Sequence, residues 1–176
     1  MTDRFTIGDR DVFLVVDIQD DFCPGGSLAV PGGDEVVPLV NGLAGTFAHV
    51  VLTQDWHPRG HLSFASSHPG KKPYQTIELA YGTQVLWPDH CVQGTAGAAF
   101  RKDLKIPHAE LVLRKGYHRE MDSIRRSTKT IARRTPGLPD IWASAVSGGS
   151  SSPASRSIFA CAIRRKMRVA RVSRRS

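Results

Sequence analysis

At 176 residues, 40% of them hydrophobic, the chain is long enough for one domain with a buried core, and one sheet with flanking helices is expected. There is no N-terminal apolar leader-like segment and no run of about eighteen apolar residues, so no secretory signal or membrane span is expected and the protein reads as cytoplasmic. The formal charge of +8 sits at one end: residues 124–176 carry thirteen Lys or Arg against one acid, Asp140, a net +12 that leaves −4 for residues 1–123.

Residues 12–16, VFLVV, form an uninterrupted apolar run ending at Asp17, as in a central parallel strand buried on both faces. The Asp17 carboxylate is expected at the C-terminal edge of that strand, where open α/β sheets bind ligands. The stretch IQDDFCPGGSLAVPGG is too rich in Gly and Pro for a helix and reads as a long functional loop. Asp34 is expected to cap a helix running to about residue 47, with Val36, Val37, Leu39, Val40, Leu43 and Ala44 at helical spacing.

A second buried strand begins at Val50, Val51, Leu52 and Thr53, and its apolar character stops at Gln54, Asp55, Trp56 and His57. It completes a β-loop-α-β unit with a right-handed crossover. Alternation along an extended chain puts Asp55 and His57 on one side. His61 follows in a Gly-flanked loop, and His90 sits in WPDHC. A carboxylate with imidazoles and open positions suits zinc, iron or manganese. The alternative is that Asp55 caps a helix and the histidines lie on loop surface, since D-x-H is a short motif. Residues 58–95, punctuated by Pro and Gly, read as mostly loop, with no helix beyond short turns. ELVLRK, 110–115, is a third strand, so three strands end in Asp17, Asp55 and Lys115. Lys115 is either one end of a salt bridge at the sheet edge or the group that orients Asp17 and holds a developing anion.

Four blocks in this order, VVDIQDDFCPGGSLAVPGG, LTQDWHPRGHLSFASSHPG, LWPDHCVQGTAGAAF and LRKGYHREMDS, resemble successive signatures of the bacterial nicotinamidase/pyrazinamidase family within the isochorismatase-like cysteine hydrolases. The resemblance covers residues up to about 123, two thirds of such a domain. It implies an α/β, doubly wound, mostly parallel sheet and hydrolysis of nicotinamide, and of pyrazinamide, with nicotinamide giving nicotinate and ammonia. By resemblance Asp17 is the acid and base that takes a thiol proton and passes it to the leaving ammonia, and Lys115 is its partner. Asp55, His57 and His90 hold one divalent metal (Zn, or Fe/Mn), with His61 as a fourth ligand, and that metal binds the pyridine nitrogen. Phe22 and Trp87 flank the ring, their alternative being core aromatics. A homo-oligomer is left open.

The family's reaction also needs a cysteine nucleophile on a later strand-to-helix turn, in a setting like GLA-x-DFCV, and the chain contains no such motif. Cys23 lies in the first loop, Cys91 follows His90, and Cys161 lies in FACAIRRK. With no C-x-x-C pair, these three do not form a disulfide framework. Beyond Ser123 apolar periodicity is lost. Reading each codon from the last base of one residue and the first two of the next, Ile158 to Ala162 permit DFCVR, and IRRSTKTI permits YSAFYEND directly after Ser123. Both are what the family has at those points. A frameshift near codon 123 is therefore expected, with the nucleophile's codon spanning Phe159 and Ala160. Residues 124–176 are then an out-of-frame, irregular, disordered basic tail that leaves the sheet incomplete and one side of it uncovered, and the chain as written is inactive.

Two other functions compete. The Arg-rich tail could bind nucleic acid through phosphate charge, but only Trp142 and Phe159 are aromatic within it and no zinc-finger spacing appears, so nucleic acid is not an expected partner. The other is a metal-binding remnant without catalysis.

Overall fold

The computed structural model describes residues 7–9, 11–80 and 82–120, and the backbone of 157–162 and 170–173. Five strands form the main sheet in the order β5-β2-β1-β6-β7. Here β1 is Val12–Val16, β2 is His49–Asp55, β5 is Leu111–Lys115, β6 is Ser157–Ala162 and β7 is Ala170–Ser173. The first four of these run parallel, and β7 returns antiparallel to β6.

Strand alternation divides the apolar side chains between the two faces. Phe13, Val15, Val50 and Leu52 meet Val36, Val37, Val40 and Ala44 of the helix α1, Val36–Ala44, in the main core. Phe13 stacks on Phe47 with ring centroids 5.0 Å apart. Val12, Leu14 and Val51 form a smaller cluster on the other face with half-buried Leu111 and Leu113. Val12, Leu14 and Val51 are buried there. No helix among the described residues is long and apolar enough to cross a membrane.

Two expectations are corrected. Asp34 does not cap the helix: Gly32 takes a left-handed conformation, φ 68°, and a 3-10 turn, Gly33–Glu35, leads into α1. The Glu35 N–H donates to the Gly32 carbonyl at 3.1 Å, so backbone does what a side chain was expected to do, and α1 ends at Ala44 rather than near 47. The 58–95 region is mostly loop, as expected, but it also holds a short hairpin that the sequence reading did not name. β3, Thr76–Leu79, and β4, Gly82–Val85, make an antiparallel hairpin in which Gly82, paired with Leu79, takes φ 109°.

The tail is not irregular throughout, because β6 continues the sheet beside β1, from Val12 opposite Ile158 to Val16 opposite Ala162. The physical reason is the free edge of β1, whose N–H and C=O groups need partners that the short run SIFACA supplies. Residues 124–156, 163–169 and 174–176 of the expected tail, and the boundary at Ser123, lie outside the described residues.

The packing makes a specific demand at Phe13, fully buried between sheet and helix. Phe13→Ala is expected to lower the urea-unfolding free energy by about 3–5 kcal/mol through lost burial and a residual cavity. Val112→Thr, on the exposed side of the edge strand, is expected to change it by less than about 0.5 kcal/mol.

Candidate active site

The register of the sheet assembles the charged cluster. Asp55 and Lys115 are paired residues of β2 and β5, and Asp17 follows Val16, whose partner in β2 is Thr53. All three therefore lie at the C-terminal edge. Asp17 takes φ 55°, a conformation that crowds a side chain and is usually held in place by its surroundings. Its N–H donates to the Thr53 carbonyl at 3.2 Å and its Oδ1 accepts from Thr53 Oγ1 at 2.7 Å. Lys115 Nζ lies 2.7 Å from Asp17 Oδ2 and also donates to Asp55 Oδ1.

This sharing sets the protonation of the group. Burial raises the Asp17 pKa above the usual carboxylate value, opposed by Lys115 and reinforced by Asp55. Burial opposes the charge on Lys115, but Asp17 and Asp55 outweigh it and hold the amine above its ordinary value. The lysine stays an ammonium while Asp17 is brought towards a range where it can give and take a proton.

The backbone of Asp55 is fixed by Gln19, fully buried. Gln19 Oε1 accepts the Asp55 N–H at 2.7 Å, and its Nε2 donates to the carbonyls of Asp55 at 2.8 Å and Ala98 at 2.9 Å. The sequence reading missed this residue, and nothing in IQDD distinguishes it from a loop amide.

Asp55, His57 and His90 are all buried, and one ligand atom from each lies within 4.8 Å of the others. His57 Nδ1 is 3.0 Å from the Gly116 carbonyl. A carbonyl only accepts, so Nδ1 carries the proton and the Nε2 lone pair is left for another partner. Among the described residues Nε2 has no hydrogen-bond partner. His90 Nδ1 makes the equivalent bond to the Pro88 carbonyl at 2.8 Å. Burial, then His90 and His61, lower the His57 pKa to about 3, so its ring is neutral, the form that ligates. One carboxylate and two neutral imidazoles fit a divalent zinc, iron or manganese ion.

The other sequence candidates fall differently. His61 lies against His57, with ring centroids 4.5 Å apart and planes tilted by 46°, but falls outside the triad. Its Nδ1 is engaged by Ser63, through Oγ at 2.7 Å and N–H at 3.3 Å. Phe22 is a fully buried member of the main core whose ring lies 5.7 Å from that of His90, so it is both a core aromatic and a wall of the cluster. Trp87 is half-buried, edge-on to Tyr74 at 6.1 Å, and its buried Nε1 has no partner among the described residues.

Neither early cysteine is poised as a thiolate. Both are buried, and burial raises both thiols, with Asp55, Asp21 and Asp17 pushing Cys91 further up. Residue 161 stands on β6 in register with Val15, two positions short of Asp17 along the neighbouring strand.

No family model matches the chain. It is similar to the nicotinamidase of Acinetobacter baylyi, with 56% identity over 110 residues that make up 62% of this chain and 51% of that protein. Among solved structures, PnC1 from L. infantum in complex with nicotinate superposes with a TM-score of 0.66 at 30% identity, over 94% of this chain and 73% of that one. The pyrazinamidase of Pyrococcus horikoshii in complex with zinc superposes with a TM-score of 0.62 at 28% identity, over 91% and 74%. The chain spans about half the length of the curated relatives it matches.

Two measurements probe this geometry. Gly116 has φ 74°, and a Cβ there would overlap the His57 ring. Gly116→Ala is expected to weaken zinc binding by more than about tenfold in a competition titration, as loss of an orienting contact does. In the metal-free protein His57 is neutral when folded and protonates below about 6.5 when unfolded. The unfolded state then binds more protons, so stability should be lost as pH falls from about 6.5 towards 3. The urea midpoint should drop across that window, and less steeply in His57→Asn.

Proposed function

Because this chain belongs to the nicotinamidase/pyrazinamidase family of isochorismatase-like hydrolases, we propose that residues 11–120 carry the metal-binding and acid–base half of an amidohydrolase for nicotinamide and pyrazinamide. The observation that carries this reading is the single ammonium of Lys115 bridging Asp17 and Asp55 beside two imidazoles. In the proposed reaction Asp17 takes the proton of an incoming thiol and delivers it to the departing ammonia, and water then releases the acid from the thioester. Lys115 orients Asp17 and faces the negative charge that develops on the amide oxygen. Asp55, His57 and His90 would hold a divalent metal that, when bound, engages the pyridine nitrogen. Phe22 and Trp87 would flank the ring, and His61 would support the cluster from outside the ligand set.

The nucleophile is the missing part. Cys23 and Cys91 are buried thiols with raised pKa values, unsuited to attack. The stretch whose shifted reading contains the family's cysteine is β6, paired with the strand that leads to Asp17. This pairing supports the view that the lost residue belonged beside Asp17 and that the chain as written does not hydrolyse the amide. A non-catalytic metal-binding protein is the second reading, favoured by the fact that the metal triad lies wholly within residues 55–90.

Ammonia release from nicotinamide distinguishes these readings. The chain as written is expected to be slower by more than about 10³-fold than a version with the frame restored after Ser123, since members of a catalytic set act as a unit. In the restored version Asp17→Asn or Lys115→Ala should cost a similar factor. Turnover by the chain as written that Cys161→Ala, Cys91→Ala or Cys23→Ala abolishes would identify a different nucleophile and overturn the inactivity. A restored chain that takes up zinc without hydrolysis would favour the second reading.

A further inference from the structure

Cys91 is one of three non-glycine residues among those described that take a positive φ, here 48°, and it directly follows His90. Both of its peptide groups are engaged. Its N–H donates to Asp21 Oδ2 at 2.6 Å, and its carbonyl accepts the His57 N–H at 3.0 Å. The Gln93 N–H then returns to the His57 carbonyl at 2.9 Å, so the backbones of the His57 and His90 segments are clasped through this one turn.

The Asp21 carboxylate is itself held. It is buried, its Oδ1 accepts the Ser27 N–H at 3.1 Å, and a Cβ on Gly97 would overlap it. Neither the acid–base cluster nor the metal triad uses it. A buried carboxylate that accepts two peptide N–H groups, the shorter bond coming from a strained turn, is a costly device unless the conformation it holds has a use. The left-handed turn at Cys91 provides one, since it fixes where His90 lies relative to His57.

We propose that Asp21 is the positioning residue of the metal centre: its carboxylate locks Cys91 in the left-handed conformation that sets His90 against His57 and Asp55. This inference rests on the metal-centre reading above. It makes Asp21 act through the backbone of residue 91, so the need for Asp21 should vanish when residue 91 can adopt a positive φ unaided.

The test uses the full chain, stripped with a chelator and titrated with zinc and with cobalt(II), whose visible absorption reports ligand geometry. Asp21→Ala should weaken zinc binding about 10–100-fold and alter the cobalt spectrum. Adding Cys91→Gly should restore both to within about threefold of the parent, because glycine takes positive φ freely. Asp21→Asn, which keeps an oxygen for the Cys91 N–H, should stay near the parent. If Asp21→Ala does not fold, Gly97→Ala provides the same displacement of the carboxylate, again reversed by Cys91→Gly. A displaced or deleted carboxylate that leaves zinc affinity unchanged, or a loss that Cys91→Gly does not recover, overturns the proposal and leaves the metal centre standing. A parent chain that binds neither ion overturns both.

Discussion

The ammonium of Lys115, shared between Asp17 and Asp55, ties three strands together at one edge. Reaching Asp17 from β5 means crossing two strand spacings, on the order of 10 Å, which a lysine manages only with its aliphatic stem laid along the edge and the carboxylate reaching back. That requires Asp55 on the intervening strand to be opposite Lys115, as the register has it. A one-residue slip would send Asp55 to the other face and leave a buried acid unpaired. Two carboxylates against one ammonium also leave a net charge of about −1 in a water-poor site, an imbalance that burial penalises. Raised affinity of Asp17 for a proton and the capacity of Asp55 to take a cation are two responses to that one imbalance.

The same economy governs the imidazoles. His57 and His90 each give Nδ1–H to a backbone carbonyl, of Gly116 and Pro88, and so present Nε2 inward. Gly116 follows Lys115 directly, so the peptide that orients a candidate ligand belongs to the strand that supplies the ammonium. Trp56 N–H returns to the Lys115 carbonyl at 2.8 Å, closing the loop between the two strand ends. Displacing either strand end would therefore disturb the Asp17–Lys115 pair and the Asp55–His57–His90 cluster together.

What the sequence made legible follows from how local each signal is. The strands at 12–16 and 111–115 and the centre of α1 were readable because a central parallel strand is a continuous apolar run and a packed helix has a period. Asp17, Asp55 and Lys115 were readable because each is a charge that ends such a run. Gln19, Asp21 and Gly116 were not, because their partners lie 36, 70 and 59 residues away and no local pattern encodes the meeting. The β3–β4 hairpin escaped because its strands are only four residues long, too short for the alternation of TIEL to stand out within a Pro- and Gly-punctuated stretch. The β6 strand escaped because six residues inside a long aperiodic stretch carry no period, and its pairing is decided by the free edge of β1.

In the proposed function, binding and chemistry make different demands on the chain. The hydrogen bonds and ion pair described for Asp17, Asp55, His57, His90 and Lys115 join residues within 17–116, while the strand that leads to Asp17 is also paired along its length with β6. A thiolate is a different requirement. It must stand within reach of Asp17, which is hemmed by β2 on one side and β6 on the other. On the β2 side Thr53 and Asp55 already occupy the space around the carboxylate through Thr53 Oγ1 and the shared ammonium. β6, paired with β1 as far as Ala162, borders the strand that leads to Asp17 on the side opposite Thr53, and in the proposed reaction that is where a thiolate would have to stand.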